Sequence, residues 1–488
     1  MRAHEAGALH ADINTRQPAW LHRPADTGAL VPLLWSSTAR KDDDGVLHVG
    51  GVDVRDLAAQ HGTPALVLDE ADFRARASAF REAFAGYDVY YAGKAFICTT
   101  VARWIAEEGL CLDVCSGGEL TVALRAGVDP ARIGFHGNNK SVVELRRALE
   151  AGVGRIIVDS FHEIDRIASL VAETGAEARV MVRVTAGVEA HTHEYIATAH
   201  EDQKFGFSIS SGDAMEAVRR LAAIDGVRLL GLHSHIGSQI FDTSGFEVAA
   251  RRVLALHARI ATELGVELPE LDLGGGFGIA YTTQDDPADP AQLATELTKI
   301  VEHECRALSV AVPRLSIEPG RAIVGPAMCT VYEVGTVKSV ELDAGAVRAY
   351  VSVDGGMSDN IRTALYDADY SATLASRASG AAPVLSRVVG KHCEAGDIVV
   401  KDEFLPGDLV PGDLVAVPGT GAYCRSMASN YNHLLRPPVV AVRDGVATVV
   451  VRRETEEDLL STDVGAVPDG GLDGRRDTST DSPGRAKQ

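Results

Sequence analysis

Tyr90-Tyr91-Ala92-Gly93-Lys94-Ala95-Phe96 is the stretch on which the reading of the chain turns. Val89, Tyr90 and Tyr91 are good strand formers, so a strand ends here, and it ends on a lysine. Such a lysine is either a solvated strand terminus or an amine held in a pocket, and these residues alone favour the first. The following stretch reverses the balance, because one grammar recurs along it: a short apolar run, a polar or glycine-rich end, then a helical segment. Leu110–Val114 runs into Cys115-Ser116-Gly117-Gly118, Ile133–Phe135 into His136-Gly137-Asn138-Asn139-Lys140, Ile156–Val158 into Asp159-Ser160, and Val180–Val184 into Thr185. Leu229–Leu232 leads to His233-Ser234-His235, Leu271–Leu273 to Gly274-Gly275-Gly276, and Leu315–Ile317 to Glu318-Pro319-Gly320-Arg321. Continuous apolar runs fit strands of a parallel sheet buried on both faces. Eight strand–helix units in about 230 residues predict a (β/α)8 barrel, an α/β fold whose active site lies at the C-terminal strand ends, where the polar clusters fall. An open doubly wound sheet is the structural alternative. Against it, the glycine run Gly274 to Gly278 comes late, at strand seven, rather than opening the chain as a dinucleotide fingerprint. Barrels commonly place phosphate sites after strands seven and eight, although a tight turn explains three glycines equally well.

Outward from this core, residues 1–44 read as an irregular lead-in, and 45–64 as a short strand and helix joined to a second domain. The barrel is expected over 65–321. From 322 to 460 the pattern changes to Thr330–Val340, Val347–Val353, Asp397–Val400, Asp413–Val417 and Val439–Val451, with Gly, Pro and Asp turns between them. This predicts a C-terminal all-β domain of Greek-key type. Residues 461–488 lack apolar periodicity and are expected to form a disordered tail.

The chain has 488 residues, 46% hydrophobic and 24% charged, enough for a substantial core. A formal net charge of −21 argues against nucleic acid or an anionic membrane as partner. No apolar run reaches signal-peptide or membrane-spanning length, so a cytoplasmic location is expected. The seven cysteines are scattered; Cys111 and Cys115 form a lone C-x3-C pair without a second, so reduced thiols are expected and zinc is not.

The motifs Tyr91-Ala92-Gly93-Lys94-Ala95, His233-Ser234-His235-Ile236-Gly237-Ser238-Gln239, Gly274-Gly275-Gly276 and Glu318-Pro319-Gly320-Arg321 resemble those of the barrel-type (fold-type III), pyridoxal-phosphate-dependent amino acid decarboxylases. Asp354-Gly355-Gly356-Met357, Arg362-Thr363-Ala364-Leu365-Tyr366, Lys391-His392-Cys393-Glu394 and Gly421-Ala422-Tyr423 extend the resemblance through the β domain. Together, in this order, they are similar to the diaminopimelate decarboxylases over roughly residues 45 to 460.

The resemblance implies pyridoxal 5′-phosphate as cofactor, no metal, and decarboxylation of meso-2,6-diaminopimelate to L-lysine. Lys94 would supply the Schiff-base amine. Gly274, Gly275 and Gly276, with the Ser238 and Tyr423 hydroxyls, would hold the phosphate, Pro319 and Gly320 would lie against the cofactor, and His235 would stack on the ring. Glu318 would keep the ring nitrogen protonated; barrel-type alanine racemases place an arginine there, so a glutamate favours decarboxylation over racemisation. Cys393 resembles the family's proton donor, contributed across a homodimer interface, whereas by spacing alone it reads as a small buried hydrophobe. Ala395 stands where the family usually has serine.

For the distal end of the substrate, Arg321 and Arg362 would pair with a carboxylate, Tyr366 would add a hydrogen bond, and Glu394 would take the ammonium. An ornithine- or arginine-type decarboxylase is the alternative, and its substrate has no second carboxylate to need the arginines. A non-catalytic regulatory relative is a further alternative, against which both Lys94 and Cys393 are present. His191-Thr192-His193 with His200 leaves a metal-dependent barrel hydrolase as a last alternative, on a weak ligand spacing.

Overall fold

Eight short, mostly buried strands follow one another in chain order: β1 (Asp88–Ala92), β2 (Cys111–Val114), β3 (Ile133–Phe135), β4 (Arg155–Val158), β5 (Ala178–Thr185), β6 (Val227–His233), β7 (Glu270–Asp272) and β8 (Arg314–Ile317). All pair in parallel with their neighbours, and β8 returns to β1 through Ser316↔Asp88 and Ile317↔Val89, closing the barrel. The computed structural model describes residues 17–187, 204–342 and 347–466; His191, His193, His200 and residues 467–488 of the expected tail lie outside the described residues.

The helices begin where the strand-end polar residues predict. Ser116, Ser141 and Ser160 each accept a hydrogen bond from the backbone N–H three residues on, capping Gly117–Arg125, Val142–Ala151 and Phe161–Thr174. Glu144 completes a capping box with Ser141. Phe161–Thr174 shows why these segments pack as helices: Ile164, Ile167, Leu170 and Val171 share one stripe and are buried. Full burial of such side chains stabilises by about 1.5–3 kcal/mol each.

The barrel interior is not wholly apolar. Arg155, only 1% exposed, lies with its guanidinium carbon 3.6 Å from the centroid of the Tyr90 ring. It donates to Ser316 Oγ at 2.9 Å and to Asp272. The other oxygen of Asp272 accepts the Gly274 N–H at 2.7 Å. This buried network joins β4, β7 and β8 and fixes the start of the glycine run, since a buried pair of this kind is costly to break from one side.

The second sheet is built on a 14-residue strand, Met328–Glu341. Its first half pairs antiparallel with Leu414–Pro418 on one side and Ala65–Asp69 on the other; its second half pairs with Val347–Val353. Pro383–Val389 and Ile398–Pro406 continue that end. At the other end Ala65–Asp69 pairs in parallel with Val439–Arg443, the first arm of a hairpin. Three features differ from the sequence expectation. Ala65–Asp69, which falls within the expected barrel bounds of 65–321 although not among its eight strands, lies inside the second sheet, because five apolar-rich buried residues satisfy a central strand of either sheet. Pro383–Val389 was not anticipated; its partly exposed apolar residues blur the pattern. Val439–Val451 is two strands, turned at Asp444-Gly445, both at positive φ as a tight hairpin needs. The N-terminal segment packs on this sheet: Leu34, Trp35, Leu47, Val49 and Leu57 share a core with Val67, Val331 and Val440.

Candidate active site

The C-terminal strand ends and two segments of the β domain, around residues 362–369 and at Tyr423, line a cavity of about 340 Å³. Lys94, at the end of β1, opens into it, with His235 after β6, Gly276 after β7, and Glu318, Gly320 and Arg321 after β8. Ser238 lies in the same wall as His235. The β domain adds Arg362, Tyr366 and Tyr423. Tyr423 is placed by its own backbone: its N–H donates to Ala95 O at 2.9 Å, and the Ser426 hydroxyl donates to the same oxygen, also at 2.9 Å. The seam between the two domains therefore closes on the residue next to Lys94.

Two lysines stand near barrel-strand ends, and their surroundings separate them. Lys140 is buried and spends its three donors on Gly137 O (2.7 Å), Ile157 O (2.6 Å) and Glu163 (2.7 Å). Lys94 is reached by water from the cavity, with protein on its other sides. Desolvation works against its charge, but the attraction of Tyr423, Cys115 and Glu318 outweighs this and raises its pKa above the ordinary lysine value. Only Lys94 of the two presents its amine to the cavity.

Glu318 sits among residues that the sequence reading quoted at strand ends but gave no role. His233 Nε2 approaches its carboxylate to 3.0 Å and His136 Nε2 to 3.3 Å, and His136 also lies 3.1 Å from Asp113. None of these contacts has hydrogen-bond alignment, and Glu318 Oε1 is buried without a hydrogen-bond partner. Burial raises the Glu318 pKa, against the opposing attraction of His136. Burial likewise lowers His136 to about 4 and His233 and His235 well below the usual histidine range, so these rings are neutral at pH 7. Their common signal was position: Asp113, His136 and His233 each fall at the end of a barrel strand.

The glycines are required by close approach. A Cβ on Gly275 would lie 2.2 Å from Glu318 O, and one on Gly276, at φ +112°, would lie 2.5 Å from Gly237 O. Gly274 and Gly275 stand behind the wall, and Pro319 lies outside it; the Pro319 carbonyl accepts the Ala92 N–H at 3.1 Å and so holds β8 against β1.

Arg321 and Arg362 are 8% and 5% exposed. Arg321 donates to Ser238 Oγ at 2.9 Å and to the Tyr281 hydroxyl, and its guanidinium lies 4.7 Å from the Tyr423 ring centroid. Its Nε is buried without a partner. Arg362 donates to Tyr370 Oη at 2.6 Å and lies over Tyr281 at 4.5 Å. Tyr281, in the cavity wall, and Tyr370 behind it, both of which sequence reasoning missed, thus orient the arginines. Asp285, Asp367 and Asp369 also line the cavity and were not anticipated; Lys401 pairs with the last two at 2.9 and 2.8 Å. Cys393 and Glu394 are exposed and do not line this cavity; the Cys393 N–H donates to Asn432 Oδ1 at 3.0 Å.

This donor set fits a pyridoxal phosphate. Glu318 Oε1, buried without a hydrogen-bond partner, suits a cationic ring nitrogen, Lys94 presents an amine to the same cavity, and the backbone of Gly276 forms part of its wall.

Comparison with known proteins agrees with the cofactor. The family described as "Pyridoxal-dependent decarboxylase, pyridoxal binding domain" matches residues 70–325. The diaminopimelate decarboxylase of Mycobacterium tuberculosis (strain ATCC 25618 / H37Rv) is 57% identical over 440 residues, 89% of this chain and 98% of its own. That of Bacillus subtilis (strain 168) is 46% identical over 431 residues, 88% and 97% of the two chains. The crystal structure of diaminopimelate decarboxylase from M. jannaschii in complex with L-lysine superposes with a TM-score of 0.82 at 31% identity, covering 88% of this chain and 98% of that one.

Proposed function

We propose, from the premise that this chain belongs to the diaminopimelate decarboxylase family, that it converts meso-2,6-diaminopimelate to L-lysine and CO2 with pyridoxal phosphate as cofactor. The observation that carries the substrate assignment is the pair of buried guanidiniums, Arg321 and Arg362, in the cavity that also holds Lys94 and Glu318. A substrate with a second carboxylate explains them; one ending in an amine or guanidine alone would be repelled.

When bound, the cofactor supplies an electron sink for the pair released as the carboxylate on Cα departs as CO2. The residues that would hold it are Lys94, His235, Ser238, Gly274, Gly275, Gly276, Glu318, Gly320, Arg321 and Tyr423, with Pro319 fixing the strand beside them. Glu318 carries the charge that keeps a proton on the ring nitrogen. Its buried carboxylate gains more from such a cation than an exposed one would. His235, kept neutral by burial, would lie against the bound cofactor without repelling it. Arg321, Arg362 and Tyr366 orient the distal carboxylate, and Tyr281 and Tyr370 keep the two guanidiniums in place.

Cys393 delivers the proton to Cα, and Glu394 takes the distal ammonium. Since neither lines the cavity of its own chain, we place both in the partner's site of a homodimer. All seven cysteines are unpaired, which supports a reducing, cytoplasmic setting, and no helix among the described residues is long and apolar enough to cross a membrane.

The discriminating experiment is turnover of meso-diaminopimelate beside ornithine, arginine and lysine. Diaminopimelate is expected to be preferred by at least about a hundredfold in kcat/KM, the scale for leaving buried charged groups unpaired. Comparable turnover of ornithine would overturn the assignment of the arginines. Glu318→Gln is expected to retain the cofactor and to lower kcat about ten- to a hundredfold, the loss of one charge-assisted hydrogen bond worth ~1.5–3 kcal/mol. Near-normal turnover in that variant would mean that another group holds the ring proton.

A further inference from the structure

The barrel has a second basin, at the end opposite Lys94. Its volume is about 510 Å³, and each of the eight strands contributes to it at or next to its first residue. Five of these contributions are arginines: Arg132, Arg155, Arg179, Arg228 and Arg314. Only Asp88 and Glu270 oppose them in the lining. Such a concentration of guanidinium is the reverse of the chain's formal net charge of −21.

The local ion pairs do not use up the positive charge. Arg314 pairs with Asp88 at 2.5 Å, Arg179 with the exposed Glu177 at 3.0 Å, and Arg155 with Asp272 in the barrel interior. Arg132 donates to the Gly109 carbonyl at 2.5 Å, a neutral acceptor that leaves its charge uncompensated. The exposed Arg228 side chain makes no hydrogen bond or ion pair with any described residue. The Glu270 carboxylate is likewise without one, and burial raises its pKa against the opposing attraction of Arg155 and Arg314. At the floor of the basin the backbone packs closely: a Cβ on Gly154 would lie 2.1 Å from Ala131 O in the adjacent segment.

We propose that this basin binds one small dianion, a phosphate or a dicarboxylate, held by Arg132 and Arg228 and steered by the surrounding arginines. Planar guanidiniums match both kinds of oxygen pair, and a partly enclosed site strengthens the contacts over those on open surface. The site is separate from chemistry in space. It is tied to it through one buried residue, Arg155, which lines the basin and also holds Asp272, the acceptor of the Gly274 N–H at the glycine run.

The test is calorimetric titration of the holoenzyme, whose catalytic phosphate site is filled, with inorganic phosphate and with malonate, each up to about 10 mM in chloride buffer. At least one is expected to bind saturably, one per chain, and the tighter of the two identifies the source of the anion. Arg228→Ala and Arg132→Ala should each weaken binding about tenfold or more while leaving anion-free turnover unchanged. Glu270→Gln, which removes an opposing carboxylate, should tighten it. Absence of saturable binding by both probes, or equal affinity in the wild type and all three variants, would overturn the proposal.

Discussion

Lys94→Ala is expected to be purified colourless and to lose activity on the order of a thousandfold or more, while keeping the fold. The expectation rests on the contrast with Lys140, whose three ammonium donors are spent inside the protein, whereas Lys94 faces the cavity next to the closure made by Tyr423 and Ser426. The substitution removes no core side chain: Lys94 is solvent-reached, and its neighbours Gly93 and Ala95 are anchored by backbone hydrogen bonds to Asp113 and from Tyr423. Circular dichroism should therefore match the wild type. In the wild type, borohydride reduction followed by peptide mapping should fix the cofactor's mass on the peptide containing Lys94. A label on Lys140, or full colour in Lys94→Ala, would refute the assignment and would mean that the buried Lys140–Glu163 pair opens during loading.

The barrel was legible because its strands are buried on both faces, which leaves uninterrupted apolar runs, and because helix-capping serines and functional residues cluster at the same strand ends. Lys94, His235, Glu318 and Arg321, which line one cavity, stand at or just after strand ends within that pattern, and the family resemblance, not position alone, marked them out. What stayed hidden depends on contacts between distant segments. Tyr281 and Tyr370 are 89 residues apart and meet with ring centroids at 5.1 Å only when the β domain folds against the barrel. Nothing in the local sequence of either marks it as the support of an arginine. Ala65–Asp69 fell within the barrel bounds because a short buried strand carries no record of which sheet it joins; the register with Met328 to Val331 and Val439 to Val442 decides that. The arginines at the opposite barrel end escaped notice for a related reason. Each is one residue before or within a strand start, where a single charged side chain is ordinary, and only closure of the eight strands brings five of them to one rim.

The same dependence on distant segments governs the second large effect, expected from mixing two inactive variants. Cys393 is exposed, and neither it nor Glu394 lines the cavity of its own chain, although the substrate's Cα must receive a proton from some group. Inside that cavity no thiol is present among the lining residues; Cys115, half-buried near Lys94, has its pKa pushed up to about 12 by desolvation, and Cys424 is held by the Tyr370 hydroxyl and the Ala422 carbonyl. A thiol from a second copy resolves the shortage. On that arrangement each site takes Lys94 from one chain and Cys393 from the other, so Lys94→Ala and Cys393→Ala are each nearly inactive as homodimers. When the two variants are mixed in equal amounts under subunit exchange, random pairing makes half of the dimers mixed. Each mixed dimer holds one site with both residues intact and one with neither, so activity should rise to about a quarter of wild type if the sites act independently. Mixed dimers can be counted independently by tagging the two variants with different affinity handles. No recovery in a population shown to contain them would return Cys393 to a same-chain role or to none, and would require the proton at Cα to come from a residue already in the cavity, of which the Tyr366 and Tyr423 hydroxyls are the nearest candidates by chemistry.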